Sequence, residues 1–390
     1  MSDMTDLAPI DLVSTDLVLH TDRLFDGHHW HDDAALVIRD GRVAAVLRSG
    51  EAPGGPRLDG WIAPGLIDLQ VNGGGGVLLN NDPSPEGIAR ICAAHAALGT
   101  TGVMATLITD RPDVTERAIA AARAVVGEPG LLGLHLEGPH LDRSRKGTHD
   151  PSLIRPMTEA DLETLTAAAA ELPCLICTVA PESVTAEQIA ALAGAGVTVS
   201  LGHSDCAADG ARAAFDAGAR MVTHLFNAMS QLGHRAPGLV GATLDDGRVW
   251  AGLIADGFHV DDATMRIALR GKAGPARMFL VSDAMSTIGT DLPGFTLNGR
   301  GILREGGRLT LADGTLAGAD IALIDAVRYV HASLGWSLGE ALRLAALFPA
   351  RAIGAEDRGH LRPGARADFL TLTPEITASG VWIAGQRMEA

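Results

Sequence analysis

Between Leu66 and Ser282 eight short apolar runs alternate with polar loops and Ala-rich helical stretches. Successive strand–helix units of this kind lay their strands parallel in one sheet and pack their helices outside it. The strand candidates run near Leu66–Asp68, Val103–Leu107, Leu131–Leu136, Leu175–Val179, Val197–Leu201, Met221–His224, Trp250–Ala255 and Met278–Ser282. Helices such as Pro85–Leu98, Val114–Val126, Glu159–Ala170 and Ala186–Ala195 fall between them. Eight units of roughly thirty residues predict an α/β fold, a closed (β/α)8 TIM barrel rather than an open sheet.

The two ends read differently. From Asp16 to Arg48 the pattern is short and β-like, with Leu17-Val18-Leu19, Ala35-Leu36-Val37-Ile38 and Val43-Ala44-Ala45-Val46 around the turn Asp40-Gly41. The tail repeats this style in Asp368-Phe369-Leu370-Thr371-Leu372 and Val381-Trp382-Ile383. Residues 1–60 and 356–390 are therefore expected to pair into a small β-sandwich domain beside a barrel of residues 61–355. Gly294 to Gly314 reads as a β-hairpin insertion after the eighth strand, with helices from Ile321 and Ser337.

Composition narrows the class. Hydrophobic residues at 47% and charged residues at 20% fit a globular chain with a filled core. A net charge of −16 argues against nucleic acid or an anionic membrane as partner, and an anionic substrate would need local donors. The first twenty residues carry several Asp and no Lys or Arg, unlike a signal or transit peptide, and no apolar run is long enough to span a bilayer. Cys174 and Cys177 form a CxxC without a second pair to complete a tetrahedron. The four cysteines are read as small buried hydrophobes in a reducing cytoplasm.

A TIM barrel places its chemistry at the carboxyl ends of its strands. There stand Gln70 and Asn72 after the first strand, Glu137 after the third, His203 after the fifth, His224 after the sixth, His259 after the seventh and Asp283 after the eighth. One such histidine is ordinary; histidines and carboxylates at equivalent ends of several strands converge on one mouth. Two imidazoles and a carboxylate suit a divalent transition metal with open positions for water and substrate. An Asp beside them can shuttle a proton during amide hydrolysis. The run Gly73–Gly76 lacks the Gly-Lys-Ser of a phosphate loop and is read as backbone flexibility beside this site. His28, His29 and His31 cluster with Trp30 outside the barrel and are read as non-catalytic.

Five motifs carry a specific resemblance: Pro64-Gly65-Leu66-Ile67-Asp68-Leu69-Gln70-Val71-Asn72-Gly73, His135-Leu136-Glu137-Gly138-Pro139, Gly202-His203-Ser204-Asp205, Thr223-His224-Leu225-Phe226-Asn227-Ala228-Met229 and Val281-Ser282-Asp283-Ala284-Met285. In order and spacing the chain, from about Asp16 onward, resembles N-acetylglucosamine-6-phosphate deacetylases of the amidohydrolase superfamily. The resemblance implies hydrolysis of the acetamide of N-acetyl-D-glucosamine 6-phosphate to glucosamine 6-phosphate and acetate. It implies Glu137, His203 and His224 as ligands of one metal per subunit, Zn2+ before Fe2+, Co2+ or Mn2+, and Asp283 as general base and then acid. Gln70 and Asn72 stand where many superfamily members have His-x-His, which implies a mononuclear site with Gln70 near the attacking water.

His149, Asn227, the backbone of Ala228, His259 and the segment beginning at Leu316 are implied as substrate contacts. Arg235 is implied to reach the phosphate in the neighbouring subunit of a homodimer. Two positions depart from the family pattern, Ala319 in place of Ser and His140 in place of a larger aromatic. The rival readings are a deacetylase for the galactosamine epimer, an amidohydrolase acting on a cyclic amide or N-acyl amino acid, and a non-enzymatic scaffold.

Overall fold

The computed structural model describes residues 17–388. Residues 1–16 of the expected first segment lie outside the described residues, and with them most of the stretch read as lacking a leader. The eight barrel strands are Leu66–Val71, Thr100–Ile108, Leu131–Glu137, Leu175–Val179, Thr198–Leu201, Met221–Val222, Trp250–Leu253 and Met278–Leu280. They pair in parallel in chain order. The ring closes through Val71 and Ala284, which form a parallel bridge, with the Asn72 and Gly73 N–H groups donating to Ala284 O. A buried carboxylate braces this seam: both Asp68 oxygens accept the Ser282 N–H, and Oδ1 also accepts the Gln70 N–H. Burial pushes the Asp68 carboxyl up to about 7. The sixth and eighth strands stop earlier than their apolar runs predict, because His224 (φ 27°) and Asp283 (φ 50°) leave the β region.

The helices follow their sequence signals. Ser84 caps Pro85–Ala96, and Thr158 and Thr185 form capping boxes with Asp161 and Gln188. In Leu323–Ala332, Leu323, Ala326, Val327 and Val330 recur at helical spacing and all are buried against the barrel. Burying side chains of this size stabilises by roughly 1.5–3 kcal/mol for each of the larger ones. Between the third and sixth strands the interior is polar: His135 Nε2 meets Thr178 Oγ1 at 2.7 Å, and Thr178 and Ser200 each meet Thr223 Oγ1 at 2.6 Å.

Both ends of the chain meet in one seven-stranded sheet, which joins Leu17–Phe25, Trp30–Arg39 and Arg42–Arg48 to Phe369–Leu372, Ala378–Ile383 and Gln386–Arg387. Trp61–Pro64, assigned to the barrel on sequence, pairs here between the two terminal segments. The expected hairpin insertion is a four-stranded antiparallel sheet of Gly294–Leu297, Arg300–Glu305, Arg308–Thr310 and Leu316–Ala319. Its last strand returns to the barrel mouth, where the Ala319 N–H donates to Asp283 O at 2.9 Å. All four cysteines are free; Cys92 and Cys177 are buried, while Cys174 and Cys206 are only partly so. Among the described residues no helix is long and apolar enough to cross a membrane.

Candidate metal centre and substrate cavity

Glu137 is the last residue of the third strand, so its carboxylate stands at the barrel mouth. Its Oε1 lies 3.2 Å from His203 Nε2 and 3.0 Å from His224 Nε2, and those two nitrogens are 3.1 Å apart. His149 Nε2 lies 3.8 Å from Glu137 Oε2. The His203 Nδ1–H donates to Arg145 O at 2.8 Å, which leaves Nε2 with its lone pair toward the cluster. Burial raises the Glu137 carboxyl, but the close approach of His203 and His224 outweighs it and holds the group well below the carboxylate range. Burial, reinforced by His203, keeps His149 well below the usual histidine value, hence neutral.

Two imidazole lone pairs and a carboxylate aimed at one point repel each other unless a cation lies between them, so these side chains fit a divalent metal. Glu137, His149 and His203 together form a compact buried donor group, and His224 reaches the same carboxylate more closely than His149 does. His149, expected only as a substrate contact, stands within reach of this group. Its Nδ1 is held by Thr109, whose hydroxyl lies 2.8 Å away.

Asp283 stands beside this group. Gln70 Nε2 bridges Glu137 Oε1 at 3.2 Å and Asp283 Oδ1 at 3.1 Å, and Asn72 Nδ2 donates to the same Asp283 oxygen at 2.7 Å. Burial and then the Glu137 charge push the Asp283 carboxyl up to about 6, opposed by His224 and Asn72. His203 (φ 49°), His224 and Asp283 all lie in the left-handed region, a cost that non-glycine residues bear where packing over-determines the backbone.

A cavity of about 220 Å³ opens over the cluster. Its lining brings together Asn72, Glu137, His149, His203, His224, Asn227, Ala228, His259, Asp283 and Leu316. Gln70 lies just behind this wall. Asn227 and Ala228 sit on a turn with left-handed Phe226 (φ 80°) and Ala228 (φ 50°), pinned by Gln231 Nε2 on Phe226 O and Met229 O. Arg235 does not reach this cavity from its own chain; it lies on an exposed loop, with no ion pair among the described residues. Gly73–Gly76 is a correction: Gly73 and Gly74 pair with Val77 and Leu78, and a Cβ on Gly73 would fall 2.3 Å from Val77 O. Close packing requires Gly73 and Gly74, while Gly75 (φ 60°) and Gly76 (φ 83°) adopt the left-handed backbone that glycine accepts freely.

Neither departure from the family pattern alters the lining. Ala319 contributes its backbone N–H to Asp283, while Gly318 and Leu316 face the cavity. His140 is buried with Nδ1 on Arg155 O, lining a separate cavity of about 420 Å³ on the barrel flank. That larger space has an apolar floor of Leu136, Cys177 and Val179 and lacks the donor cluster. Sequence reasoning missed Asp256, whose Oδ2 takes His259 Nδ1 at 2.6 Å. An Asp three residues before a strand-end His, able to form an Asx turn, was the available signal.

A parallel barrel with a buried His/Glu donor group and a separate carboxylate at its mouth defines the amidohydrolase class of barrel hydrolase. The chain belongs to the amidohydrolase family, whose sequence profile matches residues 61–388. It is 39% identical over 329 residues to the N-acetylgalactosamine-6-phosphate deacetylase of Shewanella sp. (strain ANA-3), covering 84% of this chain and 83% of that protein. It is 37% identical to the N-acetylglucosamine-6-phosphate deacetylase of Danio rerio, with 84% of each chain covered. The crystal structure of N-acetylglucosamine-6-phosphate deacetylase from Pasteurella multocida superposes with a TM-score of 0.92 at 30% identity, over 96% of this chain and all of that one. A mutant of the Mycobacterium smegmatis enzyme in complex with N-acetyl-D-glucosamine-6-phosphate superposes at 0.90 with 32% identity, over 97% of this chain and 100% of that one.

Proposed function

We propose that this enzyme hydrolyses the acetamide of N-acetyl-D-glucosamine 6-phosphate, giving D-glucosamine 6-phosphate and acetate in amino-sugar catabolism. The observation that carries the reading is Asp283, held by two amides beside the Glu137/His203/His224 cluster in one cavity. Glu137, His203 and His224 would hold one divalent transition metal, with His149 adjacent; the N/O donor set favours Zn2+ and also accepts Fe2+, Co2+ or Mn2+. When bound, such a metal is a Lewis acid for the acetyl carbonyl and lowers the pKa of water at the site toward neutrality.

The chain's own groups do the rest. Gln70 and Asn72 both donate to Asp283 Oδ1, which leaves Oδ2 to take the proton of the attacking water. His259 donates toward the acyl oxygen or the phosphate. As the tetrahedral intermediate collapses, Asp283 returns the proton to the departing amine. Asn227 and the Ala228 backbone cradle the phosphate, and Leu316 packs against the sugar. Arg235 completes the phosphate site from the partner subunit of a homodimer, and the four free thiols fit a cytoplasmic enzyme.

The galactosamine epimer is a second reading, favoured because relatives from Shewanella and Escherichia coli O157:H7, 39% and 36% identical, carry that name. Acetate release from both sugar phosphates by metal-replete protein is the test. Turnover of the glucosamine epimer at a higher kcat/KM supports the first reading; preference for the other epimer supports the second. Turnover of neither removes both.

A further inference from the structure

His259 lines the cavity from the loop after the seventh strand, and Asp256 lies behind it on the same loop. Both side chains are nearly buried, at 7% and 5% exposure. Asp256 Oδ1 accepts the Phe258 and His259 N–H groups at 2.9 Å each, and Oδ2 lies 2.6 Å from His259 Nδ1. With Oδ1 already receiving two hydrogens, the short contact at Oδ2 is best read as Nδ1–H donating to a carboxylate. Burial raises the Asp256 carboxyl, but the His259 hydrogen bond and charge win and hold it below its usual range. The ring nitrogen left for the cavity is Nε2.

A ring whose Nδ1–H is committed to Asp256 offers only a lone pair from Nε2 unless a second proton is present. A lone pair repels a carbonyl or phosphate oxygen. No Lys or Arg side chain is among the residues lining the cavity, and the protein carries a net charge of −16. With His149, His203 and His224 gathered around Glu137, His259 is the cavity-lining side chain of this chain left to carry positive charge toward an anionic substrate, beside the proposed metal and the partner's Arg235.

We infer that Asp256 is a positioning residue for the reaction: it fixes the His259 ring and acts as counter-ion to its doubly protonated form, whose Nε2–H meets the substrate. This rests on the deacetylase reading above. The groups around the pair are few. Asp283 faces it from the eighth strand. Tyr329, on helix Leu323–Ala332, stands against Gly257 and donates to Asp262 Oδ1, with Arg266 paired to Asp262 behind it. Arg308 of the insertion lies 4.5 Å above the Phe258 ring.

The test uses 15N-histidine-labelled, metal-replete full-length protein, with His259→Asn to assign the signal. At about pH 7 the substrate-free wild type is expected to show His259 protonated on both nitrogens, and Asp256→Asn a ring with a single proton. Asp256→Asn should also lower kcat/KM on the sugar phosphate by about 10-fold or more and move the alkaline limb of its pH profile to lower pH. A wild-type ring carrying one proton, or an Asp256→Asn protein with unchanged spectrum and pH profile, overturns the inference. The wild-type spectrum decides even if the variant does not fold. Because that spectrum is read without substrate, its failure is distinct from absence of acetate release.

Discussion

Asn72 Nδ2 donates to Asp283 Oδ1 at 2.7 Å, joining the end of the first barrel strand to the end of the last across 211 sequence positions. The contact sits at the ring's closing seam, so fold and chemistry share it. Asn72→Asp would replace a donor with a second carboxylate against Asp283, and like charges at that distance disfavour ionisation of both. The expected outcome is a fall in kcat of about 10-fold or more with metal content retained. Unchanged kcat in this variant would mean that Asp283 does not depend on the contact.

Asp283→Asn preserves shape but cannot take a proton from water. Turnover should drop by about 10²-fold or more while KM changes little, since the loss falls on the proton-transfer step. Steady-state kinetics on the sugar phosphate check this, and near-normal kcat would remove Asp283 from the mechanism.

Among the described residues one full donor set faces the cavity, so about one tightly held transition metal per chain is expected. His203→Ala and His224→Ala should each lose both metal and activity. Chelation should lower Tm, with Zn2+ restoring it, because a ligand bound only by the native state stabilises that state. Elemental analysis finding two tight metals per chain would show that Gln70 and Asn72 do not limit the site to one.

Gly318 has φ +70°, and a Cβ there would lie 2.7 Å from Met285 Cε and 2.9 Å from Asp283 O. Gly318→Ala should therefore cost about 1–3 kcal/mol and displace Asp283. Lower Tm together with lower kcat is the expected pair of readouts. A variant with wild-type kcat would uncouple the insertion strand from the catalytic carboxylate.

Arg235→Ala should weaken use of the phosphorylated sugar through loss of a charge-assisted contact. Refolding it with an equal amount of Asp283→Asn gives about half mixed dimers if pairing is random. In each, one site has Asp283 of its own and Arg235 from its partner. About a quarter of all sites should then recover full kcat/KM. Activity equal to the parental average, with mixed dimers confirmed by mass, would place Arg235 outside the partner's site.

The readable part of this protein lies in positions that a barrel treats alike. Glu137, His203, His224, His259 and Asp283 each end a strand or follow one closely, so their clustering at one mouth was legible once eight parallel units had been counted. The terminal sheet was legible as short β-like runs at both ends. Less legible were contacts whose geometry depends on loops.

The strand–helix period, the end of the barrel where chemistry gathers and most of the residue types there are legible along the chain, because periodicity and the residue that follows each apolar run are local properties. Tertiary packing places His149 beside the donor group and Asp256 behind His259. It also decided that Asp68 braces the ring seam through Ser282, and that Ala319 returns from the insertion to hold the Asp283 backbone. The Ser282 contact spans 214 positions and the Ala319 contact 36, set by loop closure and packing, which leave no periodic trace along the chain. The Asp256 contact spans three positions, yet its meaning depends on a cavity that other strands complete.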